Sequence, residues 1–528
     1  MSLVLPDGRG SHRLDVMRPY IGLFGVMLGS MMATLGTRVT SFGQADLRGG
    51  LHAGYDEGAW ITTAFGVGQI VSGITCAYLA SMIGARRLLL GGILVFFTSS
   101  LLGPFSTQLG GYLAAQFLAG LGSGTFLPLT VIFILRHLPR KLLIYGIAIY
   151  ALNSEFSQNF AASLEGYYAD HWSWRWITWQ YCLMLPVMFI CILVGMPRDD
   201  VPSDRLKSMD WPGLVFGWLT FGLLYAGIDQ GNRLGWTSSG MVVGLFVSGA
   251  LAFAAFVFRE SVSPQPILKF RLLARSRLLA FFALLAGFRF IILSTAYIIP
   301  NYLQVIRNYR GLDIGAVLIW IAIPQFLIVL PLAMLLKRVD PRWTLGMGSA
   351  MIMVACLMSA NLTDQWATAD FLPSQIVQAV GQSLALTSLV LLIVLSIKPE
   401  EAVTIGAFIQ MSRLFGGEIG VGFMQTFVRV REQVHSNLLG LHVEELTVAT
   451  LDRLALYRSA VGSRMADQTE AASQAIRLLA NAVAKQASVL SYIDGFQAAA
   501  TVAVGCFVLS AFVGNTQEAS DTAEAKSL

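Results

Sequence analysis

The chain has 528 residues, of which 55% are hydrophobic and only 13% are Asp, Glu, Lys or Arg. That is too little polar surface for a water-soluble protein of this size, so it is an integral membrane protein. The net charge of +5 gives no reason to expect a nucleic-acid partner. A span needs about 20 apolar residues to cross a hydrocarbon core roughly 30 Å thick, and apolar segments of that order recur from residue 20 to residue 513. They are too long for barrel strands, and backbone groups in lipid must be satisfied within their own segment, so the expected fold class is an all-α membrane bundle.

The amino terminus, MSLVLPDGRGSHRLDVMRPY, is polar and basic and enters the first span without a small-residue cleavage site, which reads as an uncleaved anchor. In chain order the candidate spans are 20–43, 59–83, 88–107, 110–135, 142–167, 178–196, 211–229, 240–258, 278–302, 313–336, 343–361, 369–396, 402–428 and 490–513, fourteen in all. An even count puts both ends of the chain on one side. The connections on that side hold most of the Lys and Arg, including Arg86, Arg87, Arg136, Arg140, Lys141, Arg198, Lys207, Lys269, Arg271, Lys337, Arg338 and Lys398. The opposite loops hold Arg38, Arg48, Arg175, Arg233, Arg307 and Arg310. Basic connections stay in the cytoplasm, which places both termini there.

Two connections are long: Glu260 to Arg277 on the cytoplasmic side, and Arg429 to Val489, extracytoplasmic by parity. The second includes VEELTVATLDRLALYRSAV and QTEAASQAIRLLANAVAKQASVL, rich in helix formers with apolar residues three and four apart. Two or three amphipathic helices packed over the outer mouth are expected, either as a cover for the bundle or as a docking surface for a periplasmic partner.

Ionisable side chains inside spans are costly, so each points to function or to an ion pair that holds helices together. The stretch Asn153–Trp176, NSEFSQNFAASLEGYYADHWSWRW, places Glu155, Gln158, Asn159, Ala162, Glu165 and Gly166 on one side of a helix turning about 100° per residue. Glu155, Arg289 and Arg413 fall near the middle of the fifth, ninth and thirteenth spans and invite mutual pairing. Arg38 lies toward the outer end of the first span and Glu418 a little above Arg413. Glu165, about ten residues and roughly 15 Å beyond Glu155 on the same face, belongs at the outer mouth.

Amides are spread through the spans at Gln69, Gln116, Gln158, Asn301, Gln304, Gln325, Gln375, Gln378, Gln382, Gln410 and Gln425. Any one of them reads as an interhelical hydrogen bond, but Gln375, Gln378 and Gln382 give the twelfth span a polar face and point to a wet cavity wall. Gly416 with Gly420, and Gly120, Gly122 and Gly124 in AGLGSGTFLP, read as close helix contacts. The six histidines lie outside the spans with no HExxH, and the five cysteines lack metal-ligand spacing. No cofactor, metal site or enzymatic activity is expected.

Several segments together resemble one family: GAWITTAFGVGQ at the start of the second span, GARR after it, AGLGSGTFLP in the fourth, EGYYADHWSWRW at the end of the fifth and QMSRLFGGEIG in the thirteenth. The chain resembles the fourteen-span drug:proton antiporters of the major facilitator superfamily, of the EmrB and QacA type. The resemblance implies two six-helix halves, 1–200 and 266–528, with an inserted pair of helices in 201–265. It also implies a periplasmic membrane-fusion adaptor and an outer-membrane channel as partners. Several ionic positions depart from the family pattern. The first-helix acid is Gly36, the fourth-helix arginine is Gln116, and the acid of the loop after the second helix is Ser81. The Gly-Pro and Gly-Gly pairs of the fifth helix are Ala161-Ala162 and Glu165-Gly166, whereas Arg413, Gly416, Gly417 and Gly420 keep the thirteenth-helix pattern.

The leading expectation is an inner-membrane exporter of small amphipathic or aromatic compounds driven by the proton gradient, with Glu155 binding the proton and Arg289 or Arg413 as its partner. Arg38, Gln116, Gln158, Glu165, Gln378, Gln382, Gln410 and Glu418 are the candidate cavity residues. An alternative is export of organic anions or siderophore-like compounds on Arg38, Arg289 and Arg413, with atypical coupling. A second alternative is a non-transporting membrane scaffold or sensor that works through residues 429–489.

Overall fold

A computed structural model of the chain describes residues 9–199, 205, 209–264, 266–268, 275–396, 402–443, 447–462 and 468–512. Lys207, Lys269, Arg271 and Lys398, and the expected borders of the inserted pair at residues 200–201 and 265, lie outside the described residues. Among the described residues every regular element is a helix. The long ones are α1 Arg9–Phe42, α2 Trp60–Ile83, α3 Ala85–Leu102, α4 Leu109–His137, α5 Arg140–His171, α6 Trp176–Gly195 and α7 Trp211–Leu234. They continue with α8 Gly240–Val262, α9 Ser276–Arg307, α10 Gly311–Leu335, α11 Pro341–Ser359, α12 Leu372–Leu395, α13 Ala402–Gly440 and α14 Gln468–Phe512.

Among the described residues, eleven helical segments are long and apolar enough to cross a membrane. The other three, α5, α11 and α13, are 32, 19 and 39 residues long; α5 carries Glu155 and Glu165, and α13 carries Arg413 and Glu418. Together with Asn153, Gln158 and Asn159 in α5 and Gln410 in α13, these charges lower the hydropathy of the two segments.

Polar residues set the helix ends. Asp210 precedes α7 and accepts from the Gly213 amide at 3.0 Å and from Arg259 Nε, at the far end of α8, at 3.0 Å. Burial pushes this carboxyl up, but the Gly213 amide, the Ser263 hydroxyl and Arg259 outweigh it and hold Asp210 below the usual carboxylate range. At the other end, α7 closes on Gly235 at φ +82°.

Helix packing brings α5 against α10, α1 against α6, α2 against α4, α11 against α12, and α14 against both α11 and α13. The α2–α4 contact depends on Gly120, where a Cβ would sit 2.1 Å from the Phe65 carbonyl oxygen. α7 packs on both α2 and α13, whereas α8 packs mainly on α7 and turns Leu251 and Phe258 outward, an apolar face suited to lipid.

The stretch from Arg429 to Val489 differs from the expected cover of separate helices. α13 and α14 continue through it as single helices of 39 and 45 residues, at about 1.5 Å per residue far longer than a span. A separate helix, Val448–Gly462, packs on α14. The reason lies in the sequence: no Gly or Pro interrupts the chain from Arg429 to Leu439 or from Gln468 to Asp494, so nothing ends the helices at the membrane surface. Asp494 of α14 joins the two projections by accepting from Arg431 Nε at 2.5 Å and pairing with His435 Nε2 at 2.7 Å.

Candidate functional site

Glu155 on α5 is fully buried, and Arg289 on α9 approaches it with Nη1 at 3.7 Å from Oε1. Neither carboxylate oxygen accepts a hydrogen bond. The pair is therefore held by charge across a gap rather than by a formed bond. After Arg289, the cations acting on Glu155 are Arg413 and Arg38, so three guanidinium groups share one carboxylate. Arg413 Nε donates to Gln410 Oε1 at 3.1 Å, and Arg38 Nη2 donates to the Ala296 carbonyl at 2.7 Å. Arg413 Nη2, Gln410 Nε2 and Arg38 Nε are buried without a hydrogen-bond partner. Gly416 makes this grouping possible, since a Cβ there would sit 2.9 Å from Ala286 Cα and push α13, with Arg413, away from α9.

The twelfth-helix amides do not form a wet wall. Asn159 Nδ2 donates to the Glu155 carbonyl at 3.0 Å and to Gln325 Oε1 at 3.2 Å. Gln325 Nε2 donates to Gln382 Oε1 at 3.1 Å, and Gln382 Nε2 donates to Thr295 Oγ1 at 3.2 Å. Gln378 Nε2 donates to Ser294 Oγ at 3.0 Å. Asn159, Gln325, Gln382 and Thr295 thus form a buried chain running from α5 through α10 and α12 to α9, while Gln375 Oε1 is buried without a hydrogen-bond partner.

Above this layer an open cavity of about 910 Å³ faces the end of the bundle where residues 43–59 and 308–310 connect the helices and α7 ends. Of the expected cavity residues, Arg38, Glu165 and Glu418 line it. Gln116, Gln158, Gln378, Gln382 and Gln410 do not, each being 5% exposed or less. Gln116, at the position of the family's arginine, donates to the Tyr112 hydroxyl at 2.8 Å. Gly36, at the position of the first-helix acid, faces Phe65, whose Cζ would lie 2.6 Å from a Cβ there. An acidic side chain has no room at that point.

The cavity wall adds groups that sequence reasoning did not single out. Asp46 lines it together with Glu165, and Asp229 and Tyr225 line it together with Glu418. Thr63 donates to Asp229, and Gln230 Nε2 donates to it at 3.2 Å. Asp229 went unnoticed because it sits near the end of its helix, where an acid is ordinary; only the packing of α7 between α2 and α13 turns it inward. Tyr297 and Tyr309 also line the cavity. None of the described residues of 429–489 does so.

The family model described as the Major Facilitator Superfamily matches residues 26–421. The chain is 21% identical to the "Multidrug export protein EmrB" of Escherichia coli K12 over 470 residues, 88% of this chain and 89% of that one. It is 23% identical to the "Fatty acid resistance protein FarB" of Neisseria gonorrhoeae over 449 residues, 82% and 85% of the two chains. To the "Probable multidrug resistance protein EmrY" of Escherichia coli K12 it is 29% identical over 245 residues, 46% of this chain and 47% of that one. Among solved structures, the proton:xylose symporter XylE superposes with a TM-score of 0.54 at 11% identity, covering 92% of this chain and 95% of that one. An auto-inhibited POT family peptide transporter gives 0.56 at 14% identity, covering 94% and 97%. At these identities the two structures speak to the fold alone.

Proposed function

The chain belongs to the major facilitator superfamily and is a membrane transporter rather than an enzyme; from that premise we propose that it exports small amphipathic or aromatic compounds across a bacterial inner membrane, driven by the proton gradient. The names of the relatives, multidrug export and fatty acid resistance, favour that substrate class. Basic cytoplasmic connections favour a cytoplasmic placement of both termini, with fourteen spans in a 6 + 2 + 6 order. The open cavity then faces outward.

The observation that carries the coupling is the Glu155–Arg289 pair at 3.7 Å, buried beneath the cavity and joining α5 to α9. In the 6 + 2 + 6 order these helices belong to different halves. A rocking motion that closes the cavity changes their separation. A buried carboxylate stays charged while a guanidinium faces it and takes up a proton once the guanidinium withdraws. Proton binding at Glu155 and the change of access are thereby linked. Glu155→Gln should abolish gradient-driven efflux in proteoliposomes while leaving the protein folded; undiminished uphill transport by that variant would sink the assignment.

The projections of α13 and α14 are the surface we assign to a periplasmic adaptor that hands the substrate to an outer-membrane channel. A photo-crosslinker at exposed Ile476 should capture the adaptor in cells; efflux and resistance that survive removal of every adaptor would contradict this part.

A second reading is favoured by the imbalance of three guanidinium groups to one carboxylate and by the unpartnered Arg38 Nε and Arg413 Nη2. Buried excess cation attracts an anion, which suits organic acids or siderophore-like compounds. Protonation of Glu155 would then strengthen anion binding, so coupling would be atypical. Binding measured against cationic dyes and organic acids separates the two readings: tight dye binding with no acid binding counts against the second.

A further inference from the structure

The ninth helix changes its winding partway along. It is α-helical from Ser276 to Ile291, π-helical from Ser294 to Ile298 and α-helical again from Ile299 to Arg307. A π turn holds one residue more than an α turn and occurs most often at functional sites. On one side of this segment lies Arg289, beside Glu155. Within the segment Ala296 and Tyr297, and beyond it Pro300, Asn301 and Gln304, line the cavity. The segment thus connects the part of α9 that meets the coupling pair to the part that lines the cavity.

Three side chains from other helices hold it. Gln378 donates to Ser294 Oγ at 3.0 Å, Gln382 to Thr295 Oγ1 at 3.2 Å, and Arg38 Nη2 to the Ala296 carbonyl at 2.7 Å. The last tie has a cause in the sequence. Pro300 has no N–H, so the amide that would meet the Ala296 carbonyl in an α-helix is missing. A carbonyl without a donor is costly within a membrane, and Arg38 supplies the donor from the first helix.

We infer that Arg38 and Gln382 are positioning residues that fix the winding of Ser294–Ile298 and, through it, hold Arg289 against Glu155. The inference rests on that pair being the coupling site. If Arg38 releases the carbonyl, Pro300 leaves it no donor in an α turn, and the winding of the segment is no longer fixed. A change of winding by one residue turns Arg289 by about 100° and shifts it by about 1.5 Å relative to the cavity-lining half of α9, enough to break an ion pair that has no hydrogen bond. Arg38 itself lines the cavity, so a transported molecule that takes up its guanidinium releases the tie.

The test is Arg38→Gln in the full-length chain, made alone and in a Pro300→Ala background, where alanine returns the missing amide. Alone, the substitution should lower uphill efflux about tenfold, the effect of one hydrogen bond to a charged group, and raise deuterium uptake across residues 290–307 in nanodiscs. In the Pro300→Ala background it should no longer raise deuterium uptake. Thr295→Val should act in the same direction and shift the pH profile of efflux, and Thr295→Ser should restore both. An equal rise in deuterium uptake in both backgrounds would show that Arg38 does not act through the orphaned carbonyl, and unchanged uptake on Arg38→Gln alone would show that it does not hold the segment; either overturns the inference. The uptake measurement needs no proton gradient. Uphill transport surviving Glu155→Gln would remove the coupling site on which the inference depends, while the uptake result would still report the tie itself.

Discussion

At its mouth the cavity gathers the carboxyl groups of Asp46, Glu165, Asp229 and Glu418, whereas beneath its floor Arg289 faces the single buried carboxylate of Glu155. The mouth lies open to solvent, and its acids can exchange protons and repair lost contacts with water. The floor is dry, so a charge changed there has no substitute partner. The same substitution, Glu to Gln, is therefore expected to have unequal consequences at the two depths.

The largest effect falls at the floor. Glu155→Gln should reduce uphill efflux to the level of protein-free vesicles, with binding of substrate to the detergent-purified protein retained. Next comes the contact that runs past both layers, α5 against α10, where a Cβ at Gly166 would sit 2.2 Å from the Leu312 backbone nitrogen. Gly166→Leu should destabilise the protein by about 3 kcal/mol or more, read as a lower unfolding temperature in detergent; an unchanged temperature would mean that the two helices are not in close contact. At the mouth, Glu418→Gln keeps a donor for Asp229 and should leave efflux within about threefold of wild type, as expected for a partly solvated group, while flattening its pH dependence. A loss as large as that of Glu155→Gln would erase the distinction between mouth and floor.

The smallest effect is expected outside both. Asp210, at the start of α7, is held below the usual carboxylate range against the upward push of burial by the Gly213 amide, Ser263 and Arg259. Its contribution to stability is present above the unfolded-state value of about 3.9 and is lost as pH falls through the lower folded-state value. Asp210→Asn should lower stability by about 1 kcal/mol or less, given the exposed position of Arg259, with no change in efflux at neutral pH. The deficit should shrink on acidification toward pH 3, and a deficit that grows there would reverse the sign assigned to this group.

Much of the architecture was legible because membrane helices announce themselves by length and apolar composition, and charges within them stand out. Glu155, Arg289 and Arg413 were found in that way, and the structure groups them. The role of the amides was not legible. Spacing places Gln375, Gln378 and Gln382 on one face, but whether that face meets water or other amides depends on the neighbouring helices, and Gln325 and Thr295 answer for two of its hydrogen bonds. The ends of α13 and α14 were misjudged because hydropathy marks where apolar residues stop, while helices stop only at breakers, and none occurs at those places. The family's missing acid also acquires a reason that no spacing rule contains: Phe65 occupies the room that a side chain at Gly36 would need.

The pairing of Glu155 with Arg289 as the coupling site is tested most directly by following protons and substrate together. Proteoliposomes carrying an internal pH dye, given a substrate gradient and no imposed pH gradient, should show proton movement opposite to substrate in the wild type. Glu155→Gln should still bind substrate yet move no protons with it. Proton movement by that variant equal to wild type would contradict the assignment of Glu155 as the group that carries the proton.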